Sequence, residues 1–159
     1  MEDNMELEVV PEQGKILDFS RGFSSRSKNE VEIHSNITDG KEIFNLETSV
    51  DYLINKCVGE KIRVKKVLIK RWIKPLEEPV VDEETGEILK EYETSVSCVL
   101  VDDNGKSYAT GSKRFTYDLM RYLGDCGGAA RLDNEGIELE IIKKPVQNSN
   151  FEALGFKLL

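Results

Sequence analysis

The chain has 159 residues, 39% of them hydrophobic, with 22 Lys and Arg against 30 Asp and Glu and a formal net charge of −8; that suits one domain of about 100–150 residues with a modest tail, and is too little for two ordinary domains. Three widely spaced cysteines (Cys57, Cys98, Cys126) without a C-x-x-C pair argue against a disulfide framework or a zinc site and set a reducing cytoplasm as the expected compartment. No apolar run approaches the roughly 20 residues of a membrane span, and the acidic, polar start does not resemble a signal peptide. Evenly spread, the negative charge would argue against nucleic acid, because cations make the phosphate contacts. It is not evenly spread.

Residues 1–42 lack sustained periodicity and contain Pro11, Gly14, Gly22 and Gly40. They are expected to form a partly flexible N-terminal arm with one short strand near residues 15–19. Within it, residues 20–28 hold Arg21, Arg26 and Lys28 with Phe23 and no acid, a composition suited either to clamping DNA or to solubilising a tail. The compact domain, residues 43–159, is expected to open with a short helix in 47–57. There Val50, Leu53, Ile54 and Cys57 fall at i, i+3, i+4 and i+7 before Gly59. Residues 61–74 carry seven Lys and Arg and no acid. They read as a strand whose apolar alternation changes phase between Ile62/Val64 and Val67/Ile69/Ile73, which predicts a bulge near Lys65 and Lys66. Pro75 and Pro79 are expected to end it.

Residues 75–104 reverse the balance, with ten Asp and Glu and one Lys. The turn at 82–87 makes a protruding acidic hairpin of residues 75–91. Residues 92–101 return as a strand, Asn104-Gly105 signals a tight turn, and 106–110 form a third strand. Ser112 is a candidate cap for a helix carrying Phe115, Leu119, Tyr122 and Leu123 up to the glycines at 124–128. Two strands follow, one with Ile137, Leu139 and Ile141 alternating and one with Leu154, Phe156 and Leu158. A three-stranded meander, a helix and a final hairpin are the order of an OB-fold, a mainly β, five-stranded barrel whose strand 2–3 face and loops often bind oligonucleotides.

Side-chain alternation allows the binding face to be read from register. If the 82–87 turn pairs Val81 with Ile88, Trp72 faces Ser97, Lys74 faces Ser95, Ile73 faces Val96 and Ile69 faces Leu100. A two-residue Asn104-Gly105 turn would pair Val101 with Tyr108 and Val99 with Thr110. One face then displays Lys70, Trp72, Lys74, Ser95, Ser97, Val99 and Tyr108. Bases stack on Trp and Tyr while lysines follow phosphates, so the candidate DNA contacts are Trp72 and Tyr108 with Lys66, Lys70 and Lys74. Lys113 and Arg114 join them because cations at a helix N-terminus oppose the dipole and so suit a phosphate better than stability. Lys143, Lys144 and Phe151 in the last hairpin, and Arg21, Phe23 and Arg26 in the arm, complete the set. The bland readings are a core Trp72, a basic strand that protects a sheet edge, and ordinary turn residues near 147–151.

Catalysis is not expected. The single His34 lies in the irregular arm, no nucleophile has a recognisable setting, and Walker-type and dinucleotide glycine motifs are missing. The carboxylates of the acidic hairpin read as a solvated tip, so neither a metal nor a cofactor is expected.

The stretch from Thr94 to Lys113, the helix beginning at Phe115 and the ending from Ile137 to Leu158 resemble the small single-stranded DNA-binding proteins of phages and mobile elements of Gram-positive bacteria. Phe23-Ser-Ser-Arg26, Ile43-Phe-Asn45, the run from Val50 to Asn55, and Val58-Gly-Glu-Lys-Ile62 resemble the same group. The resemblance implies non-sequence-specific, often cooperative coating of single strands during phage or element DNA replication, in the host cytoplasm and without catalysis. The acidic hairpin departs from the pattern. It points to replication or recombination partners, and self-association along DNA is a further expectation. The competing expectation is an OB-fold interaction module, such as an inhibitor of a host nuclease or repair enzyme that uses residues 77–91 as a DNA mimic.

Overall fold

A computed structural model describes residues 16–17, 19 and 31–159. The elements in chain order are β1 (Ile16–Leu17), β2 (Val31–Ser35), α1 (Gly40–Thr48), β3 (Tyr52–Leu53), a 3-10 turn (Ile54–Lys56), β4 (Lys61–Val81), β5 (Ile88–Asp102), β6 (Ser107–Thr110), α2 (Lys113–Asp125), α3 (Gly128–Asn134), β7 (Ile137–Pro145) and β8 (Glu152–Leu158). The protein is mainly β. Its eight described strands form one mixed sheet in the order β1-β2-β4-β5-β6-β3, with β7 attached to β4 and β8 attached to β7. The meander, helix and hairpin follow the order read from the sequence, but the five strands do not close. Among the described residues β6 pairs with β5 and β3, and β8 pairs only with β7.

β4 organises the molecule because three strands share its edges. β5 runs along one edge; β7 pairs with Lys61–Val64 and β2 with Leu68–Trp72. The expected bulge is present, as a register shift between Val64 and Lys66. On the other edge of β4 the pairing with β7 ends at Val64 and that with β2 begins at Leu68, and Lys65 and Val67 between them are bonded by the last residue of β2 and by Asn36 after it. The Asn36 side chain donates to the Lys65 carbonyl at 3.0 Å and accepts from the Val67 amide at 2.9 Å, while the Ser35 hydroxyl donates to the Val67 carbonyl at 2.7 Å. Gly136 lies beside the same bulge at φ +88, where an added Cβ would stand 2.9 Å from the Val64 carbonyl oxygen; glycine is the residue that tolerates both conditions.

Two clusters occupy the two faces. On the inner face Ile62, Val64, Val67 and Ile69 meet Cys98, Leu100 and the β7 residues Leu139 and Ile141, and α2 closes this core with Phe115, Leu119 and Leu123. Ser112 caps α2 as expected, its hydroxyl accepting from the Phe115 amide at 3.2 Å. On the outer face a smaller cluster of Ile33, Ile37, Leu68 and Val99 lies under α1, through Ile43 and Leu46.

Several expectations are corrected. Residues 31–42 are not arm: β2 is an internal strand, and α1 begins at Gly40 after an Asp39 cap that accepts from the Lys41 amide at 3.0 Å. Residues 47–57 are not one helix. The backbone is extended at Ser49, Tyr52-Leu53 pair in parallel with Tyr108-Ala109, and the strand plus 3-10 turn bury Ile54 and Cys57 at the spacing that suggested a helix. Pro75 and Pro79 do not end β4. It continues to Val81 by slipping register between Pro75 and Val80, which matches the tolerance of proline at edges and bulges. A further short helix, α3, follows the glycines that end α2.

Candidate nucleic-acid interface

The expected pairing of Val81 with Ile88 is present at the tip of the acidic hairpin, but irregularities at Pro75–Val81 shift the body of the β4–β5 ladder by two residues. Lys70 faces Ser97, Trp72 faces Ser95 and Lys74 faces Glu93. Since the side-chain period is two, a two-residue slip leaves every face assignment intact. Lys66, Lys70, Trp72, Lys74, Ser95, Ser97 and Val99 therefore share the outer face.

The β5–β6 turn has the opposite outcome. Asp102 and Lys106 are its hydrogen-bonded ends, Gly105 sits at φ +82, and the ladder pairs Leu100 with Tyr108 and Val99 with Ala109. This is a three-residue loop with glycine in the left-handed position. One residue of slip relative to the expected turn moves Tyr108 to the inner face. Tyr108 is 8% exposed, its hydroxyl donates to Asp102 Oδ2 at 2.9 Å, and its ring stacks on Tyr52 at 5.2 Å between centroids. Burial, reinforced by the Asp102 acceptor, pushes its hydroxyl pKa up. Tyr108 is a core residue, and Ala109 takes its place on the outer face.

Around Trp72 the outer face forms a groove of about 470 Å³, bounded by Leu46, Glu47, Thr48 and Val50 on one side and by Lys70 and Trp72 on the other, with Ser97, Val99 and Ala109 also lining it. Trp72 is half-buried, with the small side chains of Ser97 and Ala109 lining the groove beside it. Lys70 Nζ lies 5.9 Å from the centroid of the Trp72 ring, within cation–π range. Sequence reasoning missed α1 as the opposite wall; the legible signal was Asp39 ahead of a helix-favouring Lys41-Glu-Ile-Phe44 run.

Helix α1 also sets the electrostatics. Glu42 Oε2 pairs with Lys66 Nζ at 2.7 Å and Glu47 Oε2 with Lys70 Nζ at 3.0 Å, so two of the expected phosphate contacts carry carboxylate partners. Lys74 and Lys113 are exposed and make no ion pair among the described residues, and Arg114 approaches Asp118 only at 4.0 Å. The end of β6 brings α2 to the same level of the sheet. Thr110 pairs with Cys98, and Gly111 lies against the Val96 carbonyl, one rung from the Trp72–Ser95 pair.

Lys143, Lys144 and Phe151 do not join this group. β7 pairs with β4 only as far as Lys61 and runs on beyond it, away from Trp72. The arm residues Arg21, Phe23 and Arg26 lie outside the described residues. Among those described, no cluster of His, Cys, Asp and Glu could hold a metal ion, no helix is long and apolar enough to cross a membrane, and burial pushes the Cys98 thiol pKa up.

On the inner face beside Trp72 lies a buried polar chain. Arg71 Nη2 pairs with Glu32 Oε2 at 2.9 Å, and Glu32 Oε1 stands 3.3 Å from His34 Nε2, with His34 fully buried. This chain explains how a strand reading Val-Glu-Ile-His-Ser can be internal. No family model, curated protein or solved structure matches the chain.

Proposed function

We propose that the protein binds single-stranded DNA without sequence specificity along the outer face of the sheet, as a non-catalytic factor in phage or mobile-element DNA replication or recombination. The groove beside Trp72 carries the reading. It offers an aromatic wall, a floor of small side chains and lysines at its rim, which is what an unstacked base and its phosphates require. The strand order supports it in a coarser way: β4-β5-β6, α2 and β7-β8 follow one another in the order of an OB-fold, in a sheet left open between β6 and β8, and the strand 2–3 face of such folds takes oligonucleotides.

In this arrangement a base stacks on Trp72, and Lys70, Lys74, Lys113 and Arg114 meet phosphates. Lys70 and Lys66 exchange a carboxylate for a phosphate on binding, which weakens the complex. With Lys66 added to those four, five cations are engaged, and the affinity falls with salt on a log–log slope of about −3.5. Duplex DNA hides its base faces and meets the acidic hairpin, so it is disfavoured.

A gel shift at low salt comparing oligo-dT, the same length of duplex and single-stranded RNA checks this. The expected result is retention of the single DNA strand with markedly weaker retention of duplex. Equal or tighter binding of duplex would count against the reading.

A further inference from the structure

The acidic hairpin and the last hairpin leave the sheet at opposite ends of β4. Among the described residues the β2 pairing stops at Trp72 and the β6 pairing at Cys98, so from Pro75 to Tyr92 the two strands of the hairpin have no described partner but each other. The β7–β8 hairpin projects past Lys61, the other end of the same 21-residue strand. The path between them along β4 is on the order of 65 Å.

Each hairpin exposes apolar side chains, and the projecting parts of the two carry opposite net charge. On the acidic arm Val80 and Val81 are each 48% exposed, Ile88 52% and Leu89 61%, and residues 76–91 carry seven carboxylates against Lys90 alone. On the last hairpin Phe151, near the turn, is 78% exposed, and Lys143 and Lys144 lie toward that end with Glu152; Leu158, 43% exposed, and Lys157 lie at its base, paired with Leu139 and Glu140. None of these exposed apolar residues belongs to either core cluster, and β8 has no strand on its outer edge among the described residues. Clustered exposed aliphatics mark interaction surfaces, and opposite potentials fix which surface meets which.

We infer that the chain self-associates head to tail, the acidic arm of one copy seating on the β7–β8 hairpin of the next. A contact between two different patches propagates as an open chain unless the rotation between successive copies closes it; with the patches at opposite ends of β4, the open chain is the arrangement inferred. It gives Lys143, Lys144 and Phe151 a role at the end of the molecule where the fold places them. The inference does not rest on nucleic-acid binding and is tested without DNA.

Sedimentation of the full chain across a concentration series, at low and high salt, reads it directly. The weight-average mass should climb above 18.0 kDa without a plateau and fall back as salt is added. Two charge-reversed variants, Glu83→Lys/Glu84→Lys and Lys143→Glu/Lys144→Glu, test it; Glu83, Glu84 and Lys143 are exposed, whereas Lys144 is half-buried with its ammonium 5.8 Å from the Phe156 ring centroid, so circular dichroism must first show that both variants keep the wild-type fold. Each alone should remain monomeric, and an equimolar mixture should associate again, because each supplies the charge the other has reversed. A wild-type mass fixed at 18.0 kDa, a plateau at a closed dimer, association of either variant alone as strong as wild type, or a mixture no larger than its parts would each overturn the inference.

Discussion

Replacing Trp72 by alanine is expected to weaken binding of single-stranded DNA by roughly 1–3 kcal/mol, a loss of about 5- to 150-fold in affinity, while leaving the protein folded. The indole lines the outer groove and belongs to neither core cluster. Its removal takes away the stacking wall and the ring that holds Lys70 in cation–π contact. Binding isotherms with oligo-dT check the first half, and a thermal melt checks the second. If the variant unfolds, Trp72 is a packing residue and the outer face loses its claim; if it binds like wild type, bases stack elsewhere.

The neighbouring residue should behave in the opposite way. Arg71 points to the inner face, where it and Glu32 are nearly buried and His34 continues the chain. Arg71→Ala leaves the Glu32 carboxylate without its guanidinium partner in a low-dielectric setting. Breaking such a pair costs about 3–5 kcal/mol, a large share of a total stability of about 5–15 kcal/mol. The urea midpoint should drop accordingly, and the double variant Arg71→Met/Glu32→Leu should recover part of the loss, because this ion pair is then removed from both sides. A single variant within about 0.5 kcal/mol of wild type, the range of an ordinary surface substitution, would show that water screens the pair. The two substitutions sit one residue apart on β4, yet one should act on binding and the other on stability, because successive side chains point to opposite faces.

The same alternation explains how much of this was legible beforehand. The phase change between Val64 and Val67 located the β4 bulge, and the spacing from Ser112 located α2 with its cap. The face bearing Lys70, Trp72 and Lys74 also survived, although the pairing was displaced, because the displacement was two residues. Tyr108 was misplaced by one residue of turn length, a difference that Asn-Gly does not encode by itself. β2 was hidden because Glu32 and His34 look solvent-facing until Arg71, 39 residues away, is brought beside them. α1 was hidden because none of its residues is fully buried and because Val50, Leu53, Ile54 and Cys57 imitate a helical stripe, although the structure divides them among a loop, a strand and a 3-10 turn. The separation of Lys143, Lys144 and Phe151 from Trp72 depends on where β7 meets β4, a long-range pairing that no local pattern carries.

The charge distribution has a physical role in this account. Carboxylates on α1 hold two of the face's lysines, and the acidic hairpin places a large negative charge next to the groove. Both oppose phosphates, so affinity must come from stacking to a larger degree than in a basic protein. That dependence can be observed at a single residue, since Trp72 is the one tryptophan in the chain. Titrating its fluorescence with poly-dT at low salt should give saturable quenching as bases stack on the indole, reversed as salt is added; binding of the strand with unchanged Trp72 emission, or no binding at all, would contradict the account.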